Sequence, residues 1–130
     1  MKILIDTNVL ISALVFRGRP RTLLIRLLVE EQELFVSSYI DQEFRRKLRQ
    51  KWPDRMERIL EVYEEIAFPI LQSTHETYGE LRDVNDIPIL SDAIYHDIDV
   101  ILTGDKDFLD AGLVRPKAMS VPMMFDYLDR

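Results

Sequence analysis

Lys2-Ile3-Leu4-Ile5-Asp6-Thr7-Asn8 opens the chain with a short apolar run that stops at a carboxylate. Consecutive apolar residues without polar alternation are the pattern of a strand buried on both faces, as in parallel sheets. A second run of this kind, Asp99-Val100-Ile101-Leu102-Thr103, leads into Gly104-Asp105-Lys106-Asp107. Outward from these two runs, strands and helices alternate. Asn8 to Phe16 predicts a helix broken at Gly18-Arg19-Pro20, and Thr22 to Glu31 a second one, with Leu23, Leu24, Leu27 and Leu28 at helical spacing. Leu34 to Val36 reads as a strand, and Ser37-Ser38 supplies the cap of a helix with Ile40, Phe44 and Leu48 on one stripe. A helix is expected from Pro53 to about Ala67, a weak strand over Phe68 to Leu71, and a helix from Asp86 to His96. Ala118 to Val121 closes the strand set, before a helix from Pro122. This alternation implies an α/β fold with a mainly parallel sheet covered on both faces, in which function gathers at the carboxyl ends of strands.

With 130 residues, 47% hydrophobic and 31% charged, the sequence reads as one globular domain over residues 1–130. No apolar run approaches the ~18–20 residues of a membrane span, and the N-terminal stretch does not read as a signal peptide, so the expectation is a cytoplasmic protein with no membrane partner. The absence of Cys excludes disulfides and thiolate metal sites, and two His make a His-rich zinc site a poor fit. The net charge of −6 excludes nucleic-acid binding by bulk attraction alone. The charge is segregated, however. Arg17, Arg19, Arg21 and Arg26 fall in a stretch without an acid, and Arg45, Arg46, Lys47, Arg49 and Lys51 form a second basic group.

Asp6 follows the first strand, Asp105 and Asp107 follow the Asp99–Thr103 strand, and Asp86 opens the helix before that strand. Glu43 flanks the Ile40–Phe44 stripe. Four carboxylates from distant parts of the chain can therefore meet at one end of the sheet. Each has a plainer role open to it: Asp6 and Asp86 as helix caps, Glu43 as a surface residue, Asp105 and Asp107 as turn residues beside Gly104. Asp92 reads as an accessory or surface residue, and Trp52 as a packing residue at a helix junction. Clustered carboxylates repel and raise each other's pKa unless a cation relieves them. Oxygen-only ligands favour Mg²⁺ or Mn²⁺, and such an ion can activate water and steady a leaving oxyanion, which suits phosphodiester hydrolysis.

In the segments Ile3–Leu10, Ser37-Ser38-Tyr39-Ile40-Asp41-Gln42-Glu43, Asp86–Ala93 and Asp99–Phe108, the chain resembles the PIN-domain ribonucleases, a family that includes many prokaryotic toxin–antitoxin toxins. The resemblance spans nearly the whole chain, although the stretch Gln50–Val84 carries none of its motifs. It implies a three-layer α/β/α sandwich of about four to five short strands. By position it makes Asp6, Glu43, Asp86 and Asp105 the catalytic acids. It makes Asp6, Asp86, Asp105 and Asp107 the metal ligands, and Asn8 and Thr103 the pocket's polar supports. Around Arg82-Asp83-Val84-Asn85-Asp86 the pattern has fewer acids than in relatives; Asp86 is preferred to Asp83 as the ligand for its spacing to Ala93. The implied activity is metal-dependent cleavage of RNA to 5′-phosphate and 3′-hydroxyl products, as the toxin of a type II pair with an antitoxin partner and a homodimeric assembly. Arg17, Arg19 and Arg21 are the expected contacts to the RNA backbone. A haloacid-dehalogenase-like phosphatase needs an Asp where Asn8 stands. A catalytically silent PIN scaffold that binds RNA or protein is the alternative reading.

Overall fold

The computed structural model describes residues 1–79, 81 and 83–130; Glu80 and Arg82 lie outside the described residues. Its five strands are β1 (Lys2–Ile5), β2 (Glu33–Ser37), β3 (Ile70–Leu71), β4 (Val100–Leu102) and β5 (Lys117–Met119). They form one all-parallel sheet in the order β3-β2-β1-β4-β5. The opening apolar run thus takes the centre, where Ile3, Leu4 and Ile5 are buried. A strand covered on both faces has no solvent side for a polar residue, which explains the unbroken run.

The helices are α1 (Thr7–Val15), α2 (Arg19–Val29), α3 (Ser38–Lys51), α4 (Met56–Ile66), α5 (Ile87–Tyr95), α6 (Lys106–Leu109) and α7 (Val121–Leu128), with a 3₁₀ turn at Val84–Asp86 before α5. With the sheet they make the three-layer α/β/α arrangement. Ser37 caps α3 by accepting from the Ile40 amide at 3.2 Å, and Ile40, Phe44 and Leu48 are wholly buried. α2 begins earlier than its leucine spacing suggests, because Gly18 stands at its N-cap and Pro20 fits its first turn. α4 begins later than Pro53. The chain turns through Trp52–Arg55, with the Arg55 amide on the Trp52 carbonyl, and the Trp52 ring packs edge-on to Phe16 at 5.6 Å. α6 was not expected. Asp105 creates it by accepting from the Asp107 amide at 2.8 Å, so a side chain read as a turn residue caps a short helix. Among the described residues no helix is long and apolar enough to cross a membrane.

Candidate metal centre

The sheet order places a crossover switch beside β1. The chain runs outward from β1 through β2 to β3, then returns to the other side of β1 as β4. A crevice at the carboxyl ends of the two strands flanking such a switch is the usual ligand site of open parallel sheets. Asp6 leaves β1 there and Asp105 leaves β4, with the strands in register at Ile5 and Leu102.

Asp6 stands at the N-cap position of α1, yet its side chain makes no cap hydrogen bond to that helix. It turns to β4, where the Thr103 hydroxyl donates to Asp6 Oδ2 at 2.7 Å. Thr103 Oγ1 in turn accepts from the Asp105 amide at 3.1 Å. One fully buried threonine therefore fixes the first acid and sets the backbone of the second. Burial pushes the Asp6 carboxyl above its ordinary range; the Thr103 hydroxyl and the Thr7 amide pull it back, and Glu43 and Asp105 push it up again.

Asp86 is pushed up to about 7, by burial first, then by its hydrogen bond to Asp105 and the charges of Asp105, Asp83 and Asp6. A carboxyl this high holds a proton near neutral pH and donates it to its neighbour. Asp86 Oδ2 is buried and accepts no hydrogen bond from the described residues. Asp86 does not cap the helix it precedes, so the capping role open to it is not the one it plays. Carboxylate oxygens of Asp83, Asp86 and Asp107 lie within 4.8 Å of one another. Asp83, passed over as a ligand on spacing, is therefore in the cluster alongside Asp86, and its side chain also accepts from the Asn85 amide at 2.9 Å. Asp86 is shared between this trio and the Asp105 contact. An oxygen cluster with a protonated member and an unsatisfied buried oxygen fits a hard divalent cation, which would replace the proton.

Glu43 sits half-buried on α3, paired with Arg46 at 3.8 Å, close enough to Asp6 to raise it. Tyr39, one turn earlier, donates its hydroxyl to the Asn85 carbonyl at 3.4 Å. Asn8 Oδ1 accepts from Lys47 Nζ at 3.1 Å, joining the first turn of α1 to α3.

The arginine run lies elsewhere. α1 is nine residues long, so its far end is ~14 Å from Asp6. Arg21 donates there to the carbonyls of Ala13 at 2.9 Å and Leu14 at 3.1 Å, and Arg55 donates to Val15 at 2.8 Å. These cations close the negative end of a helix that has no basic residue in its own last turn. Arg19 lies 4.8 Å over the Phe125 ring. Arg17, Arg21, Arg55 and Arg58 edge an apolar groove of about 550 Å³ among α1, α2 and α4, which exposes parts of Ile25, Leu28 and Val62. Asp92, read as accessory or surface, is neither solvent-facing nor in the acid cluster. It is buried, accepting from Ser73 Oγ at 2.7 Å and the Thr74 amide at 2.8 Å. Ser73 Oγ also accepts from the Tyr39 amide at 3.0 Å, so Asp92 ties the chain after β3 to the start of α3. Nothing local in Ser91-Asp92-Ala93 marks that role; the partner is 19 residues away.

The sequence model of the PIN domain matches residues 2–107. A comparison with curated proteins finds no match. Among solved structures, the fold is similar to a chain of VapBC2 from Rickettsia felis, bound to a DNA fragment from their promoter. The TM-score is 0.72 at 18% identity, over 92% of this chain and 98% of that one. It is also similar to a chain of FitAB bound to an IR36 DNA fragment, with a TM-score of 0.67 at 22% identity, over 92% and 94%.

Proposed function

Since the chain belongs to the PIN-domain family, we propose that it is a metal-dependent endoribonuclease, working as the toxin of a toxin–antitoxin pair in the cytoplasm, with residues 1–130 as one functional domain. The observation that carries this reading is the convergence on Asp86: three carboxylates within 4.8 Å and a pKa held at about 7. In this reading Asp6, Asp86, Asp105 and Asp107 hold Mg²⁺ or Mn²⁺, with Asp83 as an added ligand. Those carboxylates would hold the ion, and the chemistry it would supply there is Lewis acidity toward a water and toward the departing 3′ oxygen.

The chain's own residues do the rest. Thr103 holds Asp6 in one orientation and sets the Asp105 backbone. Glu43 faces the acids from α3 and is the carboxylate left to take the proton of the attacking water. Asn8 braces the rim through Lys47. Arg17 and Arg19, both exposed, meet the RNA backbone away from the cut, whereas Arg21 serves chiefly to cap α1. For the protein partner, the groove among α1, α2 and α4 offers an apolar floor edged by four arginines against one acid, Asp54, a net positive rim that suits an apolar segment carrying acidic residues. The two similar structures are of paired proteins, which supports an antitoxin partner. A homodimer belongs to the same reading.

Mapping RNA ends after controlled expression tests the proposal. New 5′-phosphate ends should accumulate with the wild type and vanish with Asp6→Asn. Identical end profiles from both proteins, with RNA still bound, would favour the silent scaffold.

A further inference from the structure

The basic group on α3 divides between two faces. Arg45 is used up in packing: it pairs with Asp41 at 3.2 Å and with Glu64 at 3.6 Å, and lies 5.6 Å over the Tyr63 ring. Arg46 and Lys47 turn the other way. Arg46 is exposed, with one long contact to Glu43 at 3.8 Å, and surface pairs of this kind are weakly held. Most of its donors are left for another acceptor. Lys47 Nζ lies 3.1 Å from Asn8 Oδ1, two residues beyond Asp6.

Tyr39, Gln42, Glu43 and Arg46, at spacings of three, four and seven, share one helical face and line a cleft of about 260 Å³. Tyr39 links this cleft to the turn that carries Asp86. Its hydroxyl reaches the Asn85 carbonyl next to Asp86. That hydroxyl is pushed up by burial and then by Glu43, with Arg46 opposing and Asp86 and Asp6 adding to the rise. The cleft therefore combines an aromatic ring, an amide, the Glu43 carboxylate and the Arg46 cation, with Lys47 the next residue along the helix. Single-stranded RNA is recognised by just such parts: bases stack on aromatic rings, amides read base edges and cations hold phosphates.

We propose that this cleft seats the nucleotide adjoining the scissile bond of a single-stranded RNA, with its base against Tyr39, its edge at Gln42 and its phosphate between Arg46 and Lys47. The subsite presupposes the nuclease reading, and it gives a polyanion a cationic foothold beside a pocket that would otherwise repel it. Arg46 also screens Glu43 from the incoming phosphate.

The test measures fluorescence anisotropy of a labelled single-stranded RNA across a salt series in EDTA, and cleavage with Mn²⁺. The proteins are wild type, Tyr39→Ala, Tyr39→Phe and Arg46→Ala/Lys47→Ala. Tyr39→Ala should weaken binding roughly 5- to 100-fold, while Tyr39→Phe keeps its ring and stays within about twofold of wild type. Arg46 is exposed and Lys47 part-exposed, so the double variant should fold, giving up the Lys47–Asn8 bond; it should flatten the log–log salt slope by ~1.4, two contacts at ~0.7 each. In cleavage by Tyr39→Ala, KM should rise more than kcat falls, and the Mn²⁺ affinity of that variant should be unchanged. If Tyr39→Ala and the double variant bind and cut like wild type, the subsite is overturned and the nuclease reading stands. Equal losses in Tyr39→Ala and Tyr39→Phe overturn base stacking. A wild type that neither binds nor cuts RNA overturns both readings.

Discussion

Lowering the pH should weaken metal binding through Asp86. Its carboxyl is pushed up to about 7, and a divalent ion must displace its proton. With one proton released, apparent affinity follows the ionised fraction: about nine-tenths at pH 8, about one-tenth at pH 6 and about one-hundredth at pH 5. Mn²⁺ should therefore bind about tenfold more weakly at pH 6 than at pH 8, and about a hundredfold more weakly at pH 5. Titration calorimetry in buffers of different ionisation enthalpy reads both the affinity and the proton released. In the metal-free protein, Asp105→Asn removes a hydrogen-bond partner and the strongest of the neighbouring charges and should return the Asp86 carboxyl toward its ordinary range, read by NMR titration. The metal-free protein should show the matching stability trend. A carboxyl whose folded pKa is raised binds its proton more tightly when folded, so this contribution is full below the unfolded pKa of 3.8 and is lost as pH rises through about 7. The unscreened ceiling is ~4 kcal/mol, and solvent at this part-exposed group reduces it to roughly 1–2 kcal/mol. An affinity constant from pH 5.5 to 8, or an Asp86 carboxyl that titrates near 4 by NMR, would refute the clustering of these acids.

Thr103→Val should destabilise the protein by about 1.5–3 kcal/mol in urea, by taking the hydroxyl from a buried carboxylate. It should also raise the Asp6 pKa further, seen by NMR titration. Arg21→Ala should cost about 1–2 kcal/mol in the same assay through the uncapped end of α1, while Arg17→Ala stays within about 0.5 kcal/mol. Asp92→Ala should cost about 1–3 kcal/mol, because two part-buried donors lose their buried acceptor, and Asp92→Asn less, since its carbonyl replaces one of the two.

What could be read from the sequence was what is local. Ser37 caps a helix three residues away, the Ile40-Phe44-Leu48 stripe repeats on one helix, and an unbroken apolar run has only the centre of a parallel sheet to occupy. Asp6, Asp86 and Asp105 were legible because strand ends and a helix start mark them. Their approach to one another was inferable from topology alone. What escaped depends on partners far along the chain. Asp92 looks like a helix-surface acid until β3 delivers Ser73 to it. Arg21 belongs to a cluster of arginines, and only packing shows that it caps α1. Arg45 and Arg46 are adjacent and alike in sequence, yet helix geometry turns one to Tyr63 and Glu64 and leaves the other at the acidic cleft. Asp83 was judged by its spacing to a helix, and a 3₁₀ turn brings it back beside Asp86 and Asp107.

The most direct test of the central claim is cleavage of an end-labelled single-stranded RNA by the purified protein, with Mn²⁺ and with EDTA, and with the chemistry of the product ends determined. The account predicts internal cuts with Mn²⁺, 5′-phosphate and 3′-hydroxyl ends, no cuts in EDTA, and none from Asp6→Asn or Asp105→Asn at any Mn²⁺ concentration. Cleavage that persists in EDTA, or in both variants, would contradict it.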